Sequence, residues 1–310
     1  MNDSIYMSLT NIKINQIPNF YNKFTRIRFD RVYKYQYKGV VFNYFLTSCS
    51  LYIMTTSCKI LKKNVITEKD VQEFVKRIKA IILEIVNIDE EKIKLDICRF
   101  DYKVDIPMEE EERKCLFKLL NKHRSKYKYI KTRKKYQTSI HLANHSSSRN
   151  INIYDKDVES GIPEYSNIVR VELQIKNKGI KRLLEKENKP RDIYYYWNKN
   201  SMEELFFEYF KNFLYRGTYY KLGQAIKIIE KSSYSKTLKK GLISFISIVN
   251  KEGILGAEKV FCYNTIRKYE KLLDDIMVNP ITIEDDEPIE KMDNLLSTAR
   301  KITEEKYFIG

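Results

Sequence analysis

The sequence predicts an α+β fold, with an antiparallel-rich sheet, helices packed on one face, and a mainly helical C-terminal region. Two observations predict this class. Up to residue 176, segments with the two-residue period of strands alternate with segments of helical period, in the order β-β-α-β-α-β-β-β. Beyond residue 178 the helical period dominates. We therefore expect one domain at residues 1–180 and a helical C-terminal domain at residues 181–310.

The first strands are predicted between residues 26 and 61, and a helix follows them. Gly39 marks a turn within this region. Thr67 is followed three residues later by Asp70, which is the pattern of a helix start, and apolar residues at helical spacing extend that helix to about Val86. The strand patterns cover residues 26–29, 33–37, 40–45 and 50–54.

Residues 92–105 alternate polar and apolar side chains and form the clearest strand pattern in the chain. In the C-terminal part, Ser201 followed by Glu204 predicts the start of a helix. The acidic residues 284–287 before Pro288 predict a linker or loop. The remaining elements of the first part are a helix at 108–123 and strands at 136–143, 149–155 and 167–176.

Alternation also gives each strand a polar face, because residues i and i+2 of a strand point to the same side. Asp101 shares its face with Arg99, and Glu172 shares its face with Arg170. If the two carboxylates meet across adjacent strands, they can bind Mg²⁺ or Mn²⁺, which prefer oxygen ligands. His141 is a candidate third metal ligand. The alternatives are cross-strand ion pairs on a solvated face and a structural histidine.

Tyr154 and Lys156 share the polar face of a third strand. A tyrosine oxygen can attack a phosphate and form a phosphotyrosine bond, and a neighbouring lysine can lower the tyrosine pKa or bind the phosphate. We therefore take Tyr154 as the candidate nucleophile and Lys156 as its catalytic partner.

The charge of the chain predicts a nucleic-acid partner. Lys and Arg total 57 against 41 Asp and Glu, a net charge of +16, although a lysine-rich proteome could produce the same surplus. From Lys122 to Lys135 the chain has many cations, interleaved tyrosines and no acid. This composition suits single-stranded or distorted DNA, and it also suits a solvated basic loop. The candidate DNA-binding residues are Arg99, Lys126, Lys128, Arg133, Lys134, Lys135 and Arg170.

Several classes are disfavoured by missing patterns. The five cysteines include no C-x-x-C pair, which argues against a zinc ribbon or a disulfide framework and predicts a reducing, cytoplasmic location. The first residues do not form a signal peptide, and no apolar run approaches the ~18 residues of a membrane span. No phosphate-binding loop occurs, so unwinding DNA would require a partner helicase.

Three segments, at residues 99–105, 152–156 and 169–176, occur in an order that resembles the phage/plasmid replication proteins of the gene II/X type. The chain is also similar to initiators of small rolling-circle plasmids. The resemblance implies a site-specific endonuclease and strand transferase that nicks one strand at a replication origin and stays joined to the 5′ phosphate through a tyrosine. By that resemblance, Asp101 and Glu172 match the acidic positions, and Tyr154 matches the tyrosine.

The alternative function is a non-catalytic, sequence-specific DNA-binding regulator, because a positive net charge suits a regulator as well as a nicking enzyme. Residues 243–275 could hold a helix-turn-helix, with Gly253 and Gly256 in its turn and Thr265, Arg267 and Lys268 in its second helix. Ordinary helix packing explains the same pattern.

Overall fold

The computed structural model describes residues 2–28, 31–63, 66–123, 128–129, 138–143, 148–211 and 214–308. Its strands are β1 (Asn2–Leu9), β2 (Thr25–Arg28), β3 (Val32–Tyr37), β4 (Val40–Phe45), β5 (Ser50–Thr56), β6 (Asp96–Pro107), β7 (Lys128–Tyr129), β8 (Ser139–Ala143), β9 (Arg149–Asp155), β10 (Ile168–Lys176), β11 (Tyr219–Tyr220) and β12 (Lys291–Met292).

Its α-helices are α1 (Phe20–Lys23), α2 (Ser57–Leu61), α3 (Val71–Leu83), α4 (Glu110–Asn121), α5 (Lys156–Ser160), α6 (Asn177–Glu187), α7 (Ile193–Tyr196), α8 (Lys199–Met202), α9 (Glu208–Lys211), α10 (Leu222–Lys231), α11 (Lys236–Val260), α12 (Tyr263–Asp275) and α13 (Leu295–Phe308). A π-helical turn, Glu203–Phe207, joins α8 to α9. No helix in the described part of the chain is long and apolar enough to cross a bilayer.

The chain divides into two compact units, and the strands β6, β9 and β10 contribute residues to both. The first unit comprises Met1–Lys103, His145–Asn150 and Glu172–Glu203. The second unit comprises Val104–Asn144, Ile151–Val171 and Glu204–Gly310. The predicted boundary near residue 180 stays a prediction.

In the first unit the strand order is β2-β3-β4-β5-β1-β6-β10-β9. The strands from β2 to β6 pair antiparallel with their neighbours. Ile5 of β1 lies opposite Phe100 of β6, and Tyr6 lies opposite Arg99. Directly opposed residues of paired strands share one face, so Ile5 and Phe100 belong to one side of the sheet and Tyr6 and Arg99 to the other.

The apolar side of this sheet holds the core of the first unit. Ile5 and Phe100 are completely buried. The ring of Tyr196 lies 5.7 Å from that of Phe100, and the ring of Trp197 lies 4.8 Å from that of Phe74 in α3. Because the helices cover this side, the opposite side carries the polar residues described below.

In the second unit the strand order is β6-β10-β9-β8-β7, and β11 pairs antiparallel with β12. Ile153 and Val169 from the sheet and Leu116 from α4 are buried in its core. The helices α9 to α13 also belong to this unit. Together, the large antiparallel-rich sheet, the helices and the helical C-terminal region confirm the predicted α+β class.

Two local predictions need correction. Strand β1 was not predicted, although it pairs with both β5 and β6. The helical stretch predicted to start at Ser201 begins earlier, because the side-chain oxygen of Asn198 accepts a 2.9 Å hydrogen bond from the Ser201 amide and caps α8. Asparagine is a strong N-cap residue, so it competes well with serine for this role.

Candidate active site

Two buried carboxylates lie in the first unit, on the polar side of the sheet. Asp101 is in β6 and Glu172 is in the neighbouring strand β10. Asp101 is only 2% exposed and Glu172 only 6% exposed. A carboxylate buried to this degree needs a compensating cation or hydrogen bonds.

Arg99 supplies the compensating charge for Asp101. Its Nε and Nη2 atoms donate hydrogen bonds of 2.8 Å and 2.6 Å to the two Asp101 oxygens. Burial alone would lower the pKa of Arg99, but the hydrogen bond and charge of Asp101, followed by the charges of Tyr6 and Glu172, raise it. Glu172 therefore acts electrostatically on the same guanidinium.

Tyr6 of β1 completes the contacts of Arg99. The guanidinium lies 4.7 Å from the centre of the Tyr6 ring, and Nη1 donates a 3.3 Å hydrogen bond to the Tyr6 hydroxyl. A cation over an aromatic face is attracted by the ring quadrupole. Tyr6 thus helps to hold Arg99 in place beside Asp101.

Lys176 is a further cation of this cluster. Burial lowers its pKa, the charge of Arg99 lowers it further, and the charge of Asp101 partly opposes both. With the Asn150 amide oriented so that both of its ends are satisfied, the Asn150 oxygen accepts a 2.8 Å hydrogen bond from Lys176. We refer to Tyr6, Arg99, Asp101, Glu172 and Lys176 as the carboxylate cluster.

Tyr154 lies in the second unit, at the end of β9, between the buried residues Ile153 and Asp155. It is half-buried. The ammonium group of Lys156 lies 5.8 Å from the centre of the Tyr154 ring and 5.2 Å from that of Tyr165. Lys156 also forms a 2.5 Å ion pair with Glu159. The predicted proximity of the lysine to Tyr154 is present, and a second tyrosine shares that lysine.

Asp155 lies between Tyr154 and Lys156 and anchors the backbone where β9 ends and α5 begins. Its side chain caps α5 by accepting hydrogen bonds from the amides of Asp157 and Val158. Arg113 of α4 donates to Asp155 over 2.9 Å. Because both ends of this pair are buried, the end of β9 is held in one position.

His141 and Arg170, also in the second unit, have partners. The Nδ1 atom of His141 forms a 2.9 Å hydrogen bond with the side-chain oxygen of Asn152. Arg170 is 5% exposed and forms two hydrogen bonds, of 2.5 Å and 2.8 Å, with Asp105. The cross-strand ion pair considered for this sheet is therefore present at Arg170.

The predicted site residues fall into two groups. Asp101, Glu172 and Arg99 belong to the first unit, whereas Tyr154, Lys156, His141 and Arg170 belong to the second. Their arrangement around one substrate stays a prediction. Lys126, Arg133, Lys134 and Lys135 lie outside the described residues, and Lys128 is in β7 without a described side chain.

Among the described residues, Glu284, Asp286 and Glu287 have oxygens within 4.8 Å of one another, close enough to share a metal ion. The sequence predicted a loop here. Lys118 and Lys122 form ion pairs with Glu287 and Glu284, so these cations already balance part of the negative charge.

Three contributors to the site were not expected from sequence. Tyr6 could have been found through the alternation of Ile5, Met7 and Leu9, which marks β1 as a strand. Arg113 has no comparable signal, because its partner Asp155 is distant along the chain. Tyr165 is close to Lys156 along the chain, but no periodic pattern marks it.

No protein-family model matches the chain, and no curated protein matches it either. Among solved structures, the chain is similar to the rolling circle replication initiator protein from Geobacillus stearothermophilus. The TM-score is 0.33 and the sequence identity is 12%, over 57% of this chain and 73% of that chain. Similarity at this level carries no argument, so function must be argued from the side chains.

Proposed function

We propose that the protein is a rolling-circle DNA replication initiator that nicks one strand at a replication origin, in a metal-dependent reaction, and becomes joined to the 5′ phosphate through a tyrosine. The observation that carries the proposal is the carboxylate cluster. Asp101 and Glu172 are nearly completely buried on neighbouring strands and both act on Arg99. Burying two acids lowers the stability of the fold, and a role in a functional site is one reason why a protein keeps them.

The donor set of the cluster fits a hard divalent cation. Asp101 and Glu172 offer carboxylate oxygens, the ligands that Mg²⁺ and Mn²⁺ prefer. A bound ion would polarise the scissile phosphate and stabilise its developing charge. Before an ion binds, the guanidinium of Arg99 neutralises Asp101, so the buried carboxylate has a counter-charge.

Tyr154 is the proposed nucleophile. Its phenolic oxygen forms a bond to phosphorus and loses its proton, the bond from phosphorus to the 3′ oxygen breaks, and that oxygen gains a proton to become a 3′ hydroxyl. The 5′ phosphate stays on the tyrosine. Lys156, whose ammonium group lies 5.8 Å from the centre of the Tyr154 ring, is the proposed cation that binds the phosphate under attack.

The partners follow from charge and from the chemistry. A chain with a net charge of +16 is attracted to DNA, and phosphate contacts dominate such affinity. The chain has no nucleotide-binding loop, so we propose that a separate helicase of the host unwinds the nicked duplex.

The test of the nucleophile uses a supercoiled plasmid carrying the origin of the replicon that encodes the protein, with Mg²⁺ or Mn²⁺. Wild-type protein should relax the plasmid and form a covalent adduct visible on a denaturing gel. Tyr154→Phe should form no adduct and retain DNA binding, while Tyr194→Phe, an exposed tyrosine, should behave as wild type. An adduct in Tyr154→Phe would move the nucleophile to another residue, with Tyr165 examined next.

The carboxylates need their own controls. Asp101→Asn and Glu172→Gln should each abolish nicking, whereas Asp96→Asn, an exposed position on the same strand, should not. Raising the metal concentration should partly rescue either variant if the carboxylates hold the ion. Full nicking by both variants would exclude the cluster from the reaction.

One observation favours the alternative of a non-catalytic DNA-binding regulator. Arg99 already neutralises Asp101, as it would in a purely structural ion pair. In that case the wild-type protein would bind origin DNA and leave it supercoiled in either metal.

A further inference from the structure

We propose that residues 236–275 form a helix-turn-helix segment that binds duplex DNA in the major groove through α12. This goes beyond the proposed nicking function, because it assigns a second DNA-binding surface that requires neither Tyr154 nor a metal ion. All of its residues belong to the second unit.

The segment consists of two helical arms and a following helix. Helix α11 kinks at Gly253, where φ is 68° and ψ is −176°, and continues as a short arm over residues 254–260. A two-residue turn, Phe261 and Cys262, then leads into α12. The turn lies at these residues and not at the glycines, so the sequence placed it too early.

Gly253 is suited to the kink for two reasons. A positive φ disfavours any residue with a Cβ, and a Cβ here would lie 3.0 Å from the backbone oxygen of Lys122. The same oxygen accepts a 3.0 Å hydrogen bond from the amide of Ile254. The start of the short arm is therefore fastened at a defined point.

Three aromatic rings hold the turn against both long helices. The ring of Phe261 lies 5.9 Å from that of Phe245 in α11 and 5.8 Å from that of Tyr269 in α12. The rings of Phe245 and Tyr269 are 5.6 Å apart. Ile266 and Leu273 are completely buried along the inner side of α12. The inner side is thus rigidly packed, which fixes the direction of the outer side.

The outer side of α12 carries side chains suited to DNA. Asn264, Arg267, Lys268 and Lys271 are exposed, at spacings that place them on adjoining parts of one helical surface. No acid occurs between residues 259 and 269, and Glu270 is buried against Tyr215 and Arg267. Arginine reads guanine, asparagine reads adenine, and lysine contacts phosphate or guanine.

The contact between Arg267 and Glu270 leaves Arg267 available. The distance is 3.2 Å and half of the Arg267 side chain is exposed. Glu270 is buried and also accepts a 2.8 Å hydrogen bond from the Tyr215 hydroxyl, so it keeps a partner when the exposed guanidinium turns towards a base edge. Tyr263, 59% exposed at the start of α12, adds a ring that can pack on the sugar-phosphate backbone or a thymine methyl group.

The experiment offers the full-length protein a randomised duplex DNA pool and sequences the molecules retained over successive rounds. Wild type should enrich one motif. Arg267→Ala/Lys268→Ala should lose the motif and bind the enriched duplex about 10-fold or more weakly, because a good base contact is worth roughly one such factor or more. Lys211→Ala/Lys301→Ala removes two exposed lysines from the same unit and should retain the motif.

Arg267→Lys separates base recognition from charge. Lysine keeps the positive charge but not the two-pronged geometry of arginine, so this variant should bind with a relaxed motif. Folding of all variants is checked by their thermal unfolding. Failure of the wild type to enrich a motif, or an unchanged motif in Arg267→Ala/Lys268→Ala, would overturn the proposal.

Cys262, exposed at the start of α12, gives a second readout. The enriched duplex should slow its alkylation, and a scrambled duplex should not. If the protection instead appears without DNA and rises with protein concentration, this face joins two copies of the chain and the proposal is wrong. Tyr154→Phe should bind the enriched duplex as wild type does, so failure of nicking leaves the test of α12 intact.

Discussion

Arg113 and Asp155 form a 2.9 Å ion pair in the second unit, and each side chain is only 6% exposed. Arg113 also donates hydrogen bonds to the Met108 backbone oxygen and to the Asn167 side chain, over 2.8 Å and 2.6 Å. Asp155 directly follows Tyr154, so this pair fixes the segment that carries the candidate nucleophile.

Replacing Arg113 should therefore be costly. Arg113→Gln leaves a buried carboxylate without its counter-charge, and we expect it to lower the free energy of unfolding by roughly 3–5 kcal/mol. The measurement is a urea titration followed by circular dichroism. Lys114→Gln, which removes an exposed pair with Glu110 on the same helix, is the matched control and should cost at most about 0.5 kcal/mol. If Arg113→Gln lowers the free energy of unfolding no more than the control does, the buried pair does not stabilise the fold.

Gly253 should not tolerate a side chain. Gly253→Ala forces a Cβ into a positive-φ conformation close to Lys122, and we expect a loss of about 1–3 kcal/mol. Gly223→Ala in α10 is the control, since a Cβ there meets nothing within 4 Å. That variant should be neutral or gain up to about 1 kcal/mol from helix propensity. Thermal unfolding of both variants measures these changes. If Gly253→Ala is as stable as the wild type, the kink does not require glycine.

Asp70 should make stability fall at low pH. Burial alone would raise its pKa, but hydrogen bonds from Lys63 and Thr67 outweigh burial and lower the pKa below 3.8. The stabilisation is therefore fully present above about pH 4–5 and is lost as the pH falls through the folded-state pKa. Asp70→Asn should be less stable at neutral pH and should lose less stability on acidification. Asp96→Asn, at an exposed position, should follow the wild-type curve, as urea titrations across this pH range would show.

The cysteines should differ in reactivity. Hydrogen bonding by the Thr265 hydroxyl lowers the pKa of Cys262, which is exposed, whereas burial raises the pKa of Cys115 to about 11. Alkylation at about pH 8 should therefore modify Cys262 first and Cys115 only after unfolding, because the thiolate is the reactive form. Thr265→Val should slow the reaction at Cys262. Mass spectrometry of the labelled peptides measures both rates, and faster labelling of Cys115 in the folded protein would contradict its burial.

The periodicity of the sequence predicted most elements of the sheet. Strands β3 to β6 and helices α3 and α4 lie within a few residues of the predicted positions, because apolar side chains recur there with a clear period. Strand β1 has the same alternation at Ile5, Met7 and Leu9, but the polar residues around it weaken the strand pattern. Its position between β5 and β6 arises from pairing over long sequence distances.

The helix-turn-helix segment shows a different limit. Two glycines suggested the turn, but Gly253 serves as a kink and Gly256 lies within the short helical arm. The turn is stabilised by packing of Phe261 between Phe245 and Tyr269, which are distant in sequence. Local propensity is weaker than such packing and so did not locate the turn.

The sequence by itself determined the α+β class and the alternation that places Asp101 and Arg99 on one face of a strand, since these depend on local backbone geometry. Lys156 was predicted to share a strand with Tyr154, but it begins helix α5. Only the tertiary structure decided which charges meet between different elements: Arg170 with Asp105, and Arg113 with Asp155. The physical reason is that a buried charge must find its partner in space, and strand pairing and helix packing choose that partner without regard to sequence distance.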